Sequence, residues 1–387
     1  MSEVKVNSIK GVGASVAAIS IDNADGSCVA NISNNLGRKN KFINGEMKVS
    51  QRNTTFTNAN NEYTLDRFSI HGAHDGAVTV TQDASAPDGF AGSLKVDVTT
   101  ADTSIASNQY LQVRHRIEAL NLQDLAYGTS AAKTITVSFW VKSNLTGTYT
   151  YSMQQADNSA KQVSQTYTIN AANTWEKKTF TFAGDVNGVI NNDNDVGMNC
   201  YWNLAIGTQY TTGTTRPNWT TFADPDFAAG HTADLLASTN NEWYITGVQL
   251  EVSPIATDFE HLSFQEELRN CQRYYFIYAD GSGGANQYQL FNIHAYSTAQ
   301  LETTIDYSWA NLRAIPNLIQ GSGTNYFFAM NANNTNILFG SFLFYQPSKR
   351  TALLYQNSLS GTAPSTGQAY RCMFNNAGAF IHFEAEL

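Results

Sequence analysis

Hydrophobic residues at every second position are the feature that most limits the folds open to this 387-residue chain. The clearest case is the run TITVSFWV at 134–141, in which isoleucine, valine and phenylalanine alternate with other residues. A strand with one face on a core has this period of two. The same period recurs at 78–80, 94–98, 149–153, 180–182, 198–206 and 244–252. Turn-forming sequences separate these segments, so residues 41–260 are predicted to form an all-β jelly-roll β-sandwich.

A single helix interrupts this pattern. Ser263 followed by Glu266 fits a capping box, in which each side chain binds an amide left free at the helix start. Phe264, Leu268 and Cys271 then recur at helical spacing, and Tyr275 extends the same stripe. A connecting helix is therefore predicted within 261–276. Alternating segments return in 277–387 and predict a smaller C-terminal β-sandwich domain.

Residues 1–40 differ in composition from the rest of the chain. They contain four glycines and no aromatic residue, so they offer little apolar surface for a core of their own. They are expected to serve as a tether, or to gain order by pairing with another chain.

Charge and composition exclude several classes of protein. Charged residues make up 14% of the chain, against roughly 25% in an ordinary soluble domain. The net charge of −9 argues against nucleic-acid binding, which needs a basic face. No apolar run approaches the roughly 20 residues of a membrane span, so membrane insertion is not expected. The four cysteines lie far apart, and they are expected to be isolated, buried thiols.

The motifs of common enzymes are missing from the sequence. It contains no GxSxG, HExxH or P-loop pattern, so no catalytic residue is assigned and the protein is not expected to be an enzyme. Paired carboxylates for glycoside hydrolysis stay open, because their spacing is spatial and not sequential. Asp66 beside Arg67, and Glu118 near Arg114 and Arg116, are interpreted as structural ion pairs.

One acidic segment could bind a structural Ca²⁺ ion. Asp185, Asp193 and Asp195 lie among asparagines, whose oxygens are the ligands that calcium prefers. The same residues are equally typical of turns, and no other cofactor is expected. His71 and His74 lie in a segment, 70–76, that is interpreted as a solvated loop and not as a metal site.

Aromatic side chains on an outer sheet face would suit sugar binding, because a ring can stack on the apolar face of a pyranose. If Phe139 and Trp202 point to the core, their neighbours Trp140, Tyr201 and Asn203 point outward. These three are the sugar-binding candidates, with Tyr149 and Tyr151 as weaker ones. The alternative is that they form a second packing layer, or are buried between subunits.

A series of short motifs lies in a fixed order along residues 42–276: FING at 42–45, VSQRNTTF at 49–56, YTLDRF at 63–68, RIE at 116–118, VSFWVKS at 137–143, NTWEK at 173–177, ITGVQLEV at 245–252, ATDFE at 256–260 and EELRNCQRYY at 266–275. Together these motifs resemble a module of phage tail-fibre and other appendage proteins. The resemblance departs mildly from the family, for example at Phe68, where tryptophan is frequent. A further short motif, LRAIP at 312–316, is similar to one of distal fibre domains.

This resemblance implies a carbohydrate-binding-module-like jelly roll, placed before a variable receptor-binding tip on a fibre that is commonly trimeric. The chain is accordingly expected in the virion, as a homotrimer whose residues 1–40 attach to other tail or capsid proteins. Its helix would lie near the threefold axis, and its partner on the host would be a surface glycan or an outer-membrane receptor.

In the tip, exposed-looking polar loops make Asn325, Tyr326, Asn333 and Asn334 the receptor-contact candidates. Two alternatives to the fibre remain open: a head-decorating or tail-collar protein without a receptor role, and a surface-polysaccharide depolymerase.

Overall fold

A computed structural model describes residues 38–157, 161–281, 289–333 and 336–387, and the backbone of three short segments before them. These segments, β1 (Ser8–Ile9), β2 (Ile19–Ile21) and β3 (Cys28–Ala30), pair as an antiparallel sheet. The other residues before position 38, where most of the predicted tether lies, and Asn334 lie outside the described residues.

The next part of the chain is a two-layer sandwich, as the alternating pattern predicted. Its described strands are β4 (Thr55–Thr57), β5 (Glu62–Tyr63), β6 (Phe68–Ala73), β7 (Ala77–Asp83), β8 (Ser93–Thr100), β9 (Tyr110–Glu118), β10 (Ile135–Ser143), β11 (Gly147–Gln155), β12 (Lys161–Ile169), β13 (Glu176–Phe182), β14 (Val196–Ile206), β15 (Thr220–Thr221) and β16 (Glu242–Glu251). Short 3₁₀ turns lie at Ala119–Leu125, Thr208–Tyr210, Asp224–Asp226 and Leu235–Ala237.

The strands form two antiparallel sheets that face each other. In the described residues one sheet has the order β13-β10-β16-β8-β7-β4 and the other β15-β12-β11-β14-β9-β6-β5. The chain crosses between the sheets repeatedly, for example from β8 to β9 and from β10 to β11, which is the jelly-roll arrangement. Alternate residues of both sheets meet in one core, in which Tyr151 stacks on Phe180 with a centroid separation of 5.7 Å.

The prediction of a loop at 70–76 was wrong for 70–73, whereas residues 74–76, with His74, do form the loop between β6 and β7. Residues 68–73 form β6, which pairs with β9 along its whole length. Phe68 and Ile70 reach the core, whereas Ser69 and His71 lie on the outer face. The hydrophobic alternation of Phe68 and Ile70 stops at Gly72 in the sequence, because glycine has no side chain that could mark the core face.

The capping-box prediction is confirmed, but the helix is shorter than its apolar stripe suggested. Helix α1 spans Phe264–Gln272, and Ser263 and Glu266 bind each other's backbone amides. Tyr275 already belongs to a strand. Leu268 and Cys271 pack inside the chain, in a small cluster with the sandwich residues Ile43 and Val49. The buried face of the helix is therefore covered within one protomer.

The C-terminal domain is a second β structure with its own core. Its described strands are β17 (Tyr275–Asp280), β18 (Gln289–Ser297), β19 (Gln300–Asp306), β20 (Asn317–Gln320), β21 (Phe327–Met330), β22 (Asn336–Phe339), β23 (Leu343–Tyr345), β24 (Thr351–Gln356), β25 (Ser360–Gly361), β26 (Ala369–Phe374) and β27 (Phe380–Glu384). They form one sheet in the order β17-β27-β20 and another in the order β23-β24-β19-β18-β26-β21-β22-β25, with a 3₁₀ turn at Ser308–Ala310.

Residues after β27 return to the sandwich and are held there by arginines. Arg67, which is 1% exposed, pairs with Glu386, and its guanidinium lies 3.6 Å from the ring centre of Tyr274. The interpretation of Asp66 and Arg67 as an ion pair was therefore wrong. Asp66 instead accepts hydrogen bonds from the backbone amide and side chain of Gln51, both at 2.6 Å.

Glu118 also pairs with another residue than the expected Arg114 or Arg116. Its carboxylate accepts hydrogen bonds from Arg273 at 2.6 and 3.0 Å and from the Tyr274 hydroxyl at 2.8 Å. Arg114 and Arg116 lie on the same strand as Glu118, and side chains at even spacing along a strand share one face. Glu118 nevertheless finds its partners among the residues that follow helix α1, and not in these two arginines. Both corrections come from contacts across the domain junction.

Candidate functional site

A cleft on the outer face of the seven-stranded sheet is the candidate functional site. It has a volume of about 190 Å³. Its floor is formed by side chains from four neighbouring strands: His71 on β6, Tyr110 and Gln112 on β9, Tyr201 on β14 and Gln154 on β11. These residues point away from the core because their strand neighbours point into it.

The wall of the cleft comes from the long connection between β14 and β16. Tyr210 ends the first of the three 3₁₀ turns of this connection, and Phe227 directly follows the second. Both fold over the sheet, together with Phe222 and Asp224. The Phe227 ring packs edge-on against Tyr201, with 5.2 Å between ring centres. Tyr210 meets Tyr110 in a similar edge-on contact at 5.8 Å. The floor and wall together form an aromatic pocket with rings at steep angles to each other.

Polar contacts keep this connection on the sheet. Asp226 accepts a hydrogen bond from the Thr214 amide at 2.8 Å and pairs with Arg216 at 2.6 Å. The Thr214 bond is the main reason that the pKa of Asp226 is lowered. On the sheet side, Ser164 donates to the backbone oxygen of Asp226 at 3.0 Å. The wall of the cleft is thus held in place before any ligand binds, which reduces the entropy lost on binding.

His71 is a neutral member of the cleft. Burial, and then the nearby Arg114 and Arg116, lower the pKa of His71 to about 4. Its Nδ1 lies 2.9 Å from the side-chain oxygen of Asn61, and its Nε2 lies 3.4 Å from the Tyr110 hydroxyl. This pattern fits a neutral ring that donates from Nδ1 and accepts at Nε2.

Two amides at the floor differ in their freedom to bind a ligand. The Gln112 side chain donates to Asn203 at 2.8 Å, and Asn203 in turn donates to Thr150 and Ser152 at 3.0 Å. Gln154, by contrast, has no hydrogen-bonded partner for its side chain in the part of the chain that the structure describes. Its carbonyl and amino groups can therefore bind hydroxyl groups in the cleft.

The structure separates the strongest sugar-binding candidates of the sequence. Tyr201 lies at the cleft, and Asn203 is fully buried beneath it, where it orients Gln112. Trp140 lies on β10 in the six-stranded sheet, so it faces outward on the opposite side of the sandwich. The outward directions were predicted correctly, but one site cannot contain both Trp140 and Tyr201.

The weaker candidates Tyr149 and Tyr151 are not surface residues. Both are fully buried in the core, where Tyr149 stacks on Tyr167 and Tyr151 on Phe180. Burial raises the pKa of Tyr149 to about 12. In this structure they cannot contact a ligand, because their rings complete the layer between the two sheets.

Sequence reasoning missed most of the aromatic residues of the cleft. Tyr110, Tyr210, Phe222 and Phe227 were not singled out, because three of them lie outside regular alternating segments. The only local signal is the density of aromatic residues in the connection between β14 and β16.

The predicted calcium ligands have other contacts. Asp185 is buried and accepts hydrogen bonds from Gln155 and from the Asn187 amide, both at 2.9 Å. Asp193 accepts from the amide of Asp195, whose side chain is 85% exposed. Within the described ranges, no group of three or more His, Cys, Asp or Glu side chains is placed to hold a metal ion. Calcium binding by this segment stays a prediction.

Other residues named from the sequence lie as follows. Cys200, Cys271 and Cys372 are free and buried, as predicted. The side chain of Cys28 lies outside the part of the chain that the structure describes. Among the described residues, no helix is both long and apolar enough to cross a membrane.

The receptor-contact candidates of the C-terminal domain lie in its loops. Asn325 and Tyr326 are partly exposed and immediately precede β21, and Asn333 is exposed. Asn325 accepts hydrogen bonds from Ser360 at 3.1 Å and Asn375 at 2.7 Å, so the backbone and side chain of this loop are anchored. Their role in receptor contact stays a prediction.

A larger cavity, of about 520 Å³, lies at the junction of the two domains. Its charged side chain Arg52 pairs with Glu384 at 2.9 Å and stacks on Tyr275 at 3.7 Å. Tyr275 also contacts His382, with 2.5 Å between its hydroxyl and Nδ1. Because these groups bind one another across the junction, the cavity belongs to the contact between domains, and the aromatic cleft is the better candidate site.

Comparisons with known proteins give only distant similarities. No model of a known protein family matches the sequence, and no curated protein matches it. Among solved structures, a CBM4 protein aligns with 54% of this chain and 98% of its own, at 15% identity and a TM-score of 0.30. A family 11 carbohydrate-binding module from a cellulosomal cellulase of Clostridium thermocellum aligns over 51% and 95%, at 9% identity and a TM-score of 0.27.

The enzymatically active domain of tailspike protein 4 from bacteriophage CBA120 is also similar. It aligns with 55% of this chain but with 21% of its own length, at 12% identity and a TM-score of 0.28. TM-scores this low carry no argument about fold or function. The assignment of a jelly roll therefore depends on the order of the strands in this chain, and the assignment of a site depends on the cleft.

Proposed function

We propose that this chain is a structural appendage protein of a bacteriophage, a tail fibre that attaches to a host-surface glycan by non-covalent binding in the aromatic cleft. The observation that carries the proposal is the cleft itself, where Tyr110, Tyr201 and Tyr210 surround a free amide, Gln154. The ordered motifs of 42–276 support the assignment to a phage appendage.

The chemistry of the cleft matches that of a saccharide. A sugar ring presents apolar C–H groups on its faces and hydroxyl groups at its edge. Partly exposed tyrosine rings can cover the apolar C–H groups, and Gln154 and the neutral His71 can bind the hydroxyl groups. The cleft is open at the surface and shallow, so a unit within a long polysaccharide can enter without threading a chain end.

Substitution of two cleft tyrosines tests glycan binding. Tyr110→Ala and Tyr210→Ala each remove a ring that is partly exposed, so the fold is expected to survive. Each variant should lose about tenfold or more in affinity for host-envelope polysaccharide, measured by biolayer interferometry on immobilised polysaccharide.

The matched control is Tyr345→Ala, which removes a tyrosine that is 50% exposed in the C-terminal domain. Unchanged binding in both cleft variants would contradict the proposed site. If Tyr326→Ala abolished binding instead, the receptor contact would belong to the C-terminal domain, as a distal tip.

We further propose that the chain is a homotrimer in the virion and that residues 1–40 attach it to other virion proteins. Light scattering after size-exclusion chromatography should give three times the 42.4 kDa chain mass. A monomer would contradict the trimer, and antibody label on the capsid in electron microscopy would contradict the tail location.

We also propose that the protein binds the glycan without cleaving it. Incubation of the protein with host polysaccharide should release no new reducing ends. Their release, with Tyr110→Ala inactive, would make the cleft the site of a depolymerase.

A further inference from the structure

Arg114 lies at the edge of the cleft and belongs to the same outer sheet face. On β9 it follows Tyr110 and Gln112 at even spacing, and the register places it directly opposite Tyr201 on β14 and Ser69 on β6. Residues opposite each other in adjacent strands have Cβ atoms about 5 Å apart. The Arg114 guanidinium is therefore a neighbour of the tyrosine at the centre of the floor.

The Arg114 charge has no carboxylate partner among the described residues. Its Nε lies 3.4 Å from the Ser69 hydroxyl, and its guanidinium also lies close to Tyr201. Several other arginines of the sandwich pair with acids: Arg67 with Glu386, Arg52 with Glu384, and Arg216 with Asp226. Arg116, the next arginine on this face of β9, donates to the backbone oxygen of Leu387.

An unpaired cation at a half-buried position is unfavourable for folding alone. Burial, with the nearby Arg116, lowers the pKa of Arg114, which means that its surroundings oppose the charge. A bound anion would reverse this effect, because it would supply the charge-assisted hydrogen bonds that the guanidinium lacks.

The other groups of the cleft define how an acidic ligand would lie. His71 is neutral and adds no positive charge. The carboxylate of the cleft, Asp224, is in the wall and accepts a hydrogen bond from Gln209 at 2.8 Å. An acidic group would be repelled by Asp224 and attracted by Arg114, so the two ends of the cleft are not equivalent.

We propose that the cleft selects acidic saccharides, with a sugar ring on the tyrosines and its carboxylate, or another oxyanion, paired with Arg114. This inference rests on the proposed glycan binding and names the class of glycan. Arginine suits the task because its planar fork can bind both oxygens of an acidic group.

Matched polysaccharide pairs test this selectivity. The full chain is titrated with oligosaccharides of polygalacturonate, alginate and hyaluronan, and with the same oligosaccharides after reduction of their carboxyl groups to alcohols. A glycerol-phosphate teichoic acid distinguishes a phosphate from a carboxylate as the oxyanion. At least one acidic probe should bind tenfold or more tightly than its reduced form, with an affinity that falls as salt rises.

Variants of Arg114 assign the selectivity to this residue. Arg114→Gln should remove the preference for the acidic probe, and an unchanged circular-dichroism spectrum and melting temperature would show that the variant is folded. Arg114→Lys should retain part of the preference, because it keeps the charge but not the fork. Arg371→Gln, at an exposed arginine of the C-terminal domain, is the control and should change nothing.

The outcomes separate the two proposals. Equal affinity for acidic and reduced probes, or a preference that survives in Arg114→Gln, would overturn the selectivity and leave glycan binding intact. Failure of every saccharide, host-envelope polysaccharide included, would overturn both.

Discussion

The buried pair Arg67–Glu386 allows a quantitative prediction about how the two domains depend on each other. Glu386→Gln should lower the free energy of unfolding by about 3 kcal/mol, because it leaves the buried Arg67 without its carboxylate. Burial by itself would lower the pKa of Arg67, but the Glu386 carboxylate and then Tyr274 and Tyr63 raise it above the ordinary arginine value. The folded state therefore holds a fully charged guanidinium that has lost contact with water.

The magnitude lies at the lower end of the range for a broken buried pair, about 3–5 kcal/mol. The two closest contacts of Arg67 besides Glu386 would remain in the variant. Its Nη2 still donates to the backbone oxygen of Arg116 at 2.6 Å, and its guanidinium still lies 3.6 Å from the Tyr274 ring. In urea unfolding followed by tryptophan fluorescence, with a slope of about 3 kcal/mol/M, the midpoint should fall by about 1 M.

Two further variants decide whether this reasoning is correct. Asp124→Asn removes the carboxylate of a more exposed pair, in which Lys41 and Asp124 lie 2.7 Å apart, and should cost less than about 1 kcal/mol. The double variant Arg67→Met with Glu386→Gln removes both charges and should be more stable than Glu386→Gln alone. A Glu386→Gln midpoint equal to that of Asp124→Asn would refute the argument.

Acid and backbone geometry give two more predictions. Burial lowers the pKa of His231 to about 4, from about 6.5 in the unfolded chain. The free energy of unfolding should therefore decrease as the pH falls from about 6.5 towards 4, by about 3 kcal/mol in total. Urea titrations at pH 7 and 4.5 should show a smaller loss for His231→Asn, which keeps an acceptor for the Thr150 amide; an unchanged loss would assign the effect to other groups. Gly247→Ala should destabilise by about 2–3 kcal/mol and Gly89→Ala by about 1 kcal/mol in thermal melts. Both have positive φ, but only at Gly247 would the new Cβ meet a ring, that of Phe90 at 2.8 Å, so equal costs would contradict the packing argument.

The sandwich could be predicted from the sequence where one sheet face is apolar and the other polar. Residues 134–141 show this contrast, and β10 begins at Ile135 with its alternate residues in the core. The contrast is missing at β6, because Gly72 has no apolar side chain on the core face and His71, on the outer face, is partly buried. The contrast between an apolar and a polar face is also weak where both faces of a strand are buried. Ser152 and Asn203 are polar, and yet both are fully buried beneath the connection that carries Phe227.

The cleft was only partly predictable, for a related reason. Period-2 geometry correctly sent Tyr201 outward, but no local rule states which loop will fold over it. Tyr210 and Phe227 reach Tyr201 and its neighbours through the path of a long connection, which the sequence pattern does not reveal. Tyr151 shows the opposite error: it was a weaker sugar-binding candidate, whereas its ring is buried in the core and fills the space beside Phe180.

The return of the chain after β27 has a mechanical consequence. Strands β17 and β27 are hydrogen-bonded neighbours, with Tyr275 opposite Glu384, so the C-terminal domain leaves and rejoins the sandwich at the same edge. Arg313 adds a third connection, since it binds the backbone oxygens of Asn194, Ala385 and Glu386 at 2.7–2.9 Å. A domain held at both ends resists twisting as well as bending. Load applied to the C-terminal domain therefore passes to the sandwich along parallel paths, and no single peptide linker acts as a hinge.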